Sequence, residues 1–130
     1  MSNTALTEKG QNGENPYSNL QDINEVKPFD PQADAALMHD IYRVLQKHNA
    51  VDRFGVNLLH DHFEVEDGEW MVETHDEQSR TLTIKPYRNE KLQEPNSILQ
   101  ETNWRFDEKG KVVVMQVCVK DLQGRHREII

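Results

Sequence analysis

The chain has 130 residues, of which 35% are hydrophobic and 29% charged, and its formal net charge is −8. No apolar run exceeds four residues, against the ~18 or more that a membrane-spanning helix needs, so a helical membrane protein is excluded. The acidic balance speaks against direct nucleic-acid binding, which neutralises phosphates with a net basic face.

Residues 1–29 form a block rich in Asn, Gln, Glu, Ser and Gly in which Leu6, Tyr17, Leu20, Ile23 and Val26 are isolated apolar positions. No helical or alternating period runs through it, so it buries too little surface to offset its ordering entropy and reads as a flexible polar tail. A second reading makes it a recognition segment in which Tyr17, Leu20 and Ile23 dock on a partner or on the domain itself. The N-terminus has neither the apolar stretch of a signal peptide nor the arginine content of a transit peptide, which points to a cytoplasmic location.

A single domain is expected over 30–130. Asp30 suits a helix N-cap and Pro31 the first helical position. Leu37, Ile41, Val44, Leu45 and His48 recur at helical spacing, and Asn49 tolerates the left-handed conformation that ends a helix. This predicts one amphipathic helix packed on a sheet.

Strands are expected at 56–65, 69–74 after the Asp67-Gly68 turn, 80–86, 97–106 and 111–120, with a last edge strand over 126–130. A polar loop over 87–96 separates two of them, and Asp107-Glu108-Lys109-Gly110 is a tight turn. The run Lys111–Lys120 is the most apolar and is placed at the sheet centre. The fold class is therefore α+β: one N-terminal helix on an antiparallel sheet of five to six strands, either a curved sheet or a half-open barrel. The single Cys118 excludes an intrachain disulfide, and its neighbours Val117 and Val119 predict a buried, inert thiol.

Two features carry functional readings. On a strand, His60 and His62 share a face, and two imidazoles at that spacing can reach one metal ion. Glu66 or Glu64 can supply a carboxylate and His75 or His126 a further donor. Two His and one carboxylate with open positions suit Zn, Mn or Fe. The spacing of Gly55, His60, His62 and Glu66 resembles the first motif of the cupins over some twelve residues. No second motif follows Arg80, and no cupin chemistry is carried over. In the competing reading His60, His62 and Glu64 are the solvated face of a sheet whose acids pair with Arg80, Lys85 or Arg105.

The second feature is charge. Residues 61–78 hold eight acids and no Lys or Arg. Among them Glu64, Asp67, Glu69, Glu73, Asp76 and Glu77 form a candidate surface for a protein partner with a basic face. The basic C-terminal stretch, with Lys120, Arg125 and Arg127, polarises the surface and admits a homodimer. The leading functional expectation is a small soluble binding or adaptor domain acting through the acidic hairpin. The alternative is a small metal-binding protein or metalloenzyme built on His60, His62, Glu66 and His75.

Overall fold

The computed structural model describes residues 15–92 and 98–120. It is α+β, with one α-helix, α1 (Ala35–Lys47), and four strands: β1 (Glu69–Asp76), β2 (Thr81–Arg88), β3 (Ile98–Phe106) and β4 (Val112–Lys120). A short 3-10 helix, Asn89–Leu92, follows β2. No helix among the described residues is long and apolar enough to cross a membrane. The chain divides into two compact units, residues 19–63 and the remainder.

The larger unit is a four-stranded sheet in the order β2-β1-β4-β3. β1 and β2 form an antiparallel hairpin, β3 and β4 a second one, and β1 and β4 run parallel where Val72 faces Val117. The sheet is open and mixed, not the five- to six-stranded antiparallel sheet expected. The reason lies in the two middle strands. β1 carries Trp70-Met71-Val72 and β4 carries Val112–Met115 and Val117–Val119 as nearly continuous apolar runs. Strands buried on both faces belong at a sheet centre, and two such strands are most stable side by side. The central place expected for the 111–120 run is observed, while the expected 126–130 strand lies outside the described residues.

The core lies along one sheet face, where Trp70, Val72, Leu92, Leu99, Val114, Val117 and Val119 pack together with Tyr87 and Trp104 against them. Trp70 keeps only 1% of its surface exposed, and its Nε1–H donates to Asn89 Oδ1 at 3.1 Å. A buried indole N–H without a partner is costly, so this bond ties the 3-10 helix to the core. The turn expected at 107–110 is present. Asp107 Oδ1 accepts from the Lys109 and Lys111 amides at 2.8 and 2.9 Å, and Gly110 takes the left-handed φ of +82° that favours glycine. These amides, that of Lys111 foremost, hold the Asp107 carboxyl below its ordinary value.

Of the expected tail, residues 1–14 lie outside the described residues, whereas 15–18 are bound to the sheet unit. Tyr17 donates its hydroxyl to the Met115 carbonyl at 2.8 Å, and Arg105 Nη1 donates to the Pro16 carbonyl at 3.1 Å. Asn15 Nδ2 donates to the Val65 carbonyl at 2.6 Å. Pro16 is buried. Burial pushes the Tyr17 hydroxyl up to about 12.

In the smaller unit the helix starts later than expected. Asp30 does cap backbone amides, those of Gln32 and Ala33 at 2.9 and 3.2 Å, but it closes a turn over 31–34 and α1 begins at Ala35. Asn49 takes the expected left-handed conformation at φ 54°. The helix is amphipathic, yet none of its residues is buried; Leu37 and Val44 remain 56% and 57% exposed. Met38, Ile41 and Leu45 on the same helix are half-buried. The expected strand over 56–65 is also absent: the segment's one ladder contact is an isolated parallel bridge between Asp22 and Asp61. Alternating apolar residues do not make a strand without a partner along their length, and only Asp61 finds one.

Candidate functional site

The acidic candidates lie on the β1–β2 hairpin and the chain leading into it. Glu64 and Asp67 precede β1 and are exposed. Glu69 opens β1, and its Oε1 accepts from the Glu66 amide at 2.8 Å, which fixes the approach to the strand. Gly68 turns the chain there with φ +84°. Glu73 is half-buried, with Oε2 accepting from Gln116 Nε2 on β4 at 2.8 Å. Asp76 ends β1 and accepts from the Gln78 amide at 3.0 Å, closing the hairpin turn. Glu77, at the tip, is exposed and lies 3.6 Å from His75 Nε2. Glu69, Glu73, Asp76 and Glu77 thus lie on the hairpin and Glu64 and Asp67 on the chain leading into it; two of the six are braced by local amides and one by the neighbouring strand.

Counter-charges are sparse. Among the described residues the Lys or Arg that pairs with this stretch is Arg88, 3.2 Å from Glu66 Oε1. Two of the three bases expected to neutralise these acids are occupied elsewhere. Lys85 Nζ lies over the Tyr87 ring at 5.5 Å, and Arg105 donates to the Pro16 carbonyl. The role of Arg88 was hidden in the sequence because it depends on strand register: Arg88 stands opposite Glu69, at the end of the hairpin nearest Glu66. Exposed acids with few bases among them sum to a negative potential that reaches about 8 Å into physiological saline.

The histidine candidates are placed differently from the expectation. His60 and His62 lie in the smaller unit, outside any strand, with ring centroids 4.9 Å apart and edge to face at 89°. His60 Nδ1 is 2.6 Å from the Leu58 carbonyl, so the Nδ1–H tautomer donates there and Nε2 carries the free lone pair. The rings are adjacent, as His-x-His requires, but by a local bend and not by strand alternation. His75 sits on β1, half-buried, and Glu66 is engaged with Arg88. Among the described residues no three His, Cys, Asp or Glu side chains form a group that could hold a metal ion.

Cys118 is buried on β4. Burial, with the nearby Glu73 charge, pushes its thiol up, away from the thiolate that nucleophilic chemistry needs.

No family model matches the chain, and no curated protein or solved structure matches it.

Proposed function

We propose that this chain is a small non-enzymatic binding domain that presents the acidic β1–β2 hairpin to a basic surface on a protein partner. The observation that carries this reading is the uneven charge of the hairpin. Glu64, Asp67, Asp76 and Glu77 are exposed, and among the described residues Arg88 alone of the Lys and Arg side chains pairs with an acid of this stretch. Complementary potential of this kind raises association rates and discriminates between partners. The metal-binding alternative has less support, since His60 and His62 supply two donors and no third joins them among the described residues.

A lysine-rich peptide serves as the probe. Glu64→Lys/Asp67→Lys/Glu77→Lys is expected to weaken its binding at low salt by about tenfold or more, because like charges across a contact are repulsive. The control, Glu25→Lys/Asp52→Lys/Glu108→Lys, changes net charge equally at exposed positions off the hairpin and is expected to weaken binding much less. Equal losses in the two triple variants would refute the hairpin as the binding surface.

A further inference from the structure

Among the described residues β2 stands at one edge of the sheet, and Thr81–Lys85 are all exposed. An edge strand offers a row of main-chain donors and acceptors to any strand that can lie beside it. The two edges of this sheet differ. The β3–β4 ladder has two register irregularities, one that leaves Thr102 without a facing residue on β3 and one that leaves Met115 so on β4. Bulges of that kind twist an edge and spoil it as a template. β2 pairs with β1 over eight consecutive residues without a shift, so its open side is regular. Leu82 and Ile84 there remain 60% and 41% exposed.

Pro86 sets the phase of that open side. A proline is accommodated in a strand where its missing N–H faces no ladder partner, which in β2 is the outer edge. Alternate residues of an antiparallel strand send both N–H and C=O to the same side. Leu82 and Ile84 therefore direct both groups outward, and Pro86 its carbonyl.

We propose that this edge pairs with the β2 edge of a second copy of the chain, antiparallel about a two-fold axis through Thr83. In this register Leu82 lies opposite Ile84 of the other copy, twice over, and each pair exchanges two main-chain hydrogen bonds while covering exposed apolar side chains. Thr83 meets its own equivalent, a favourable cross-strand pair. Lys85 falls opposite Thr81, whose neighbour on β1 is Asp76, so the lysine reaches across toward an opposite charge. Moving the axis to Ile84 would set Leu82 opposite Pro86 and ask the proline for an N–H it lacks. Moving it to Leu82 would set Ile84 opposite Arg80, which is in the hairpin turn at φ 55°. Thr83 is the axis that uses the whole edge. The dimer joins two sheets into one of twice the strand number and is independent of the acidic-hairpin reading.

The contact is small against the ~1,200–2,000 Å² of a standard interface, so concentration-dependent dimerisation is expected. Sedimentation of the full chain from roughly 1 μM to 1 mM should show dimer forming within that range. Ile84→Lys, at an exposed position, should weaken it at least tenfold with the circular dichroism spectrum unchanged. Under mild oxidation Thr83→Cys should cross-link, because facing residues bring their Cβ atoms to about 4.5–5.5 Å. Thr81→Cys, which faces Lys85, should not. A monomer throughout the range, a dimer indifferent to Ile84→Lys, or equal cross-linking of the two cysteine variants would overturn the proposal.

Discussion

Trp70→Ala is expected to destabilise the sheet unit by about 3–5 kcal/mol, the range for removing a buried large aromatic side chain. Trp70 is 1% exposed and sits among Val72, Leu99, Val114 and Val117 where the two hairpins meet. Truncation leaves a cavity that strands fixed by ladders on both sides cannot close. It also orphans Asn89 Oδ1 and so loosens the 3-10 helix that brings Leu92 into the core. Trp70→Phe separates the two effects. It keeps most of the apolar contact and loses the indole bond, for a cost of about 1–2 kcal/mol. Urea unfolding followed by circular dichroism measures both, and a Trp70→Ala loss below that of Trp70→Phe would contradict this account of the core. Against a typical domain stability of about 5–15 kcal/mol, the alanine variant should be partly unfolded at moderate temperature.

The second large effect concerns Tyr17 and alkaline pH. Its hydroxyl is raised from the ordinary value of 10.0 to about 12 by burial. A folded value above the unfolded one means that the stabilisation is complete below pH 10.0 and is lost as pH rises toward about 12. The amount is about 2 kcal/mol, allowing for partial exposure. Ionisation removes the proton donated to the buried Met115 carbonyl and sets a negative charge against it. Tyr17→Phe is expected to be less stable at neutral pH and to lose this alkaline step. Difference titrations of tyrosinate absorbance against the variant, paired with unfolding curves at each pH, isolate Tyr17 from Tyr42 and Tyr87. An unchanged alkaline step in Tyr17→Phe would show that the hydroxyl does not anchor the segment.

The four strands were legible because their cues are local. β-branched residues in Arg80–Pro86, alternation in Ser97–Phe106 and the apolar run in Lys111–Lys120 each place a strand within a residue or two of the observed bounds. The Asp107–Gly110 turn was legible for the same reason: an aspartate that bonds amides two and four residues on, then a glycine at positive φ, is local chemistry. The parallel pairing of β1 with β4 was not, because it joins residues more than forty positions apart and depends on which apolar runs become buried on both faces. Trp70-Met71-Val72 held the clue, being apolar without alternation.

The segment around His60 and His62 misled for the converse reason. Val56, Leu58, His60 and His62 alternate as a strand would, yet pairing is a property of two segments, and only Asp61 finds a ladder partner. The histidine rings do come together, through a bend that no periodicity announces. For the acidic candidates, residue type and chain position were legible, whereas the counter-charges were not. Arg88 is not among the expected bases Arg80, Lys85 and Arg105; of these, the Lys85 ammonium group lies over Tyr87 and Arg105 donates to the Pro16 carbonyl. Docking on the domain is one branch of the second reading of residues 1–29, but the partners lie far along the chain: Met115, whose carbonyl accepts from the Tyr17 hydroxyl, and Arg105, which donates to the Pro16 carbonyl.

Amide NMR titration with a lysine-rich peptide at low ionic strength tests the acidic-hairpin claim most directly, because it reports where contact occurs. The account predicts shifts concentrated on residues 64–77 that collapse as salt is raised, with the β3 and β4 amides little affected. Shifts spread evenly over the chain, centred on α1, or insensitive to salt would contradict it.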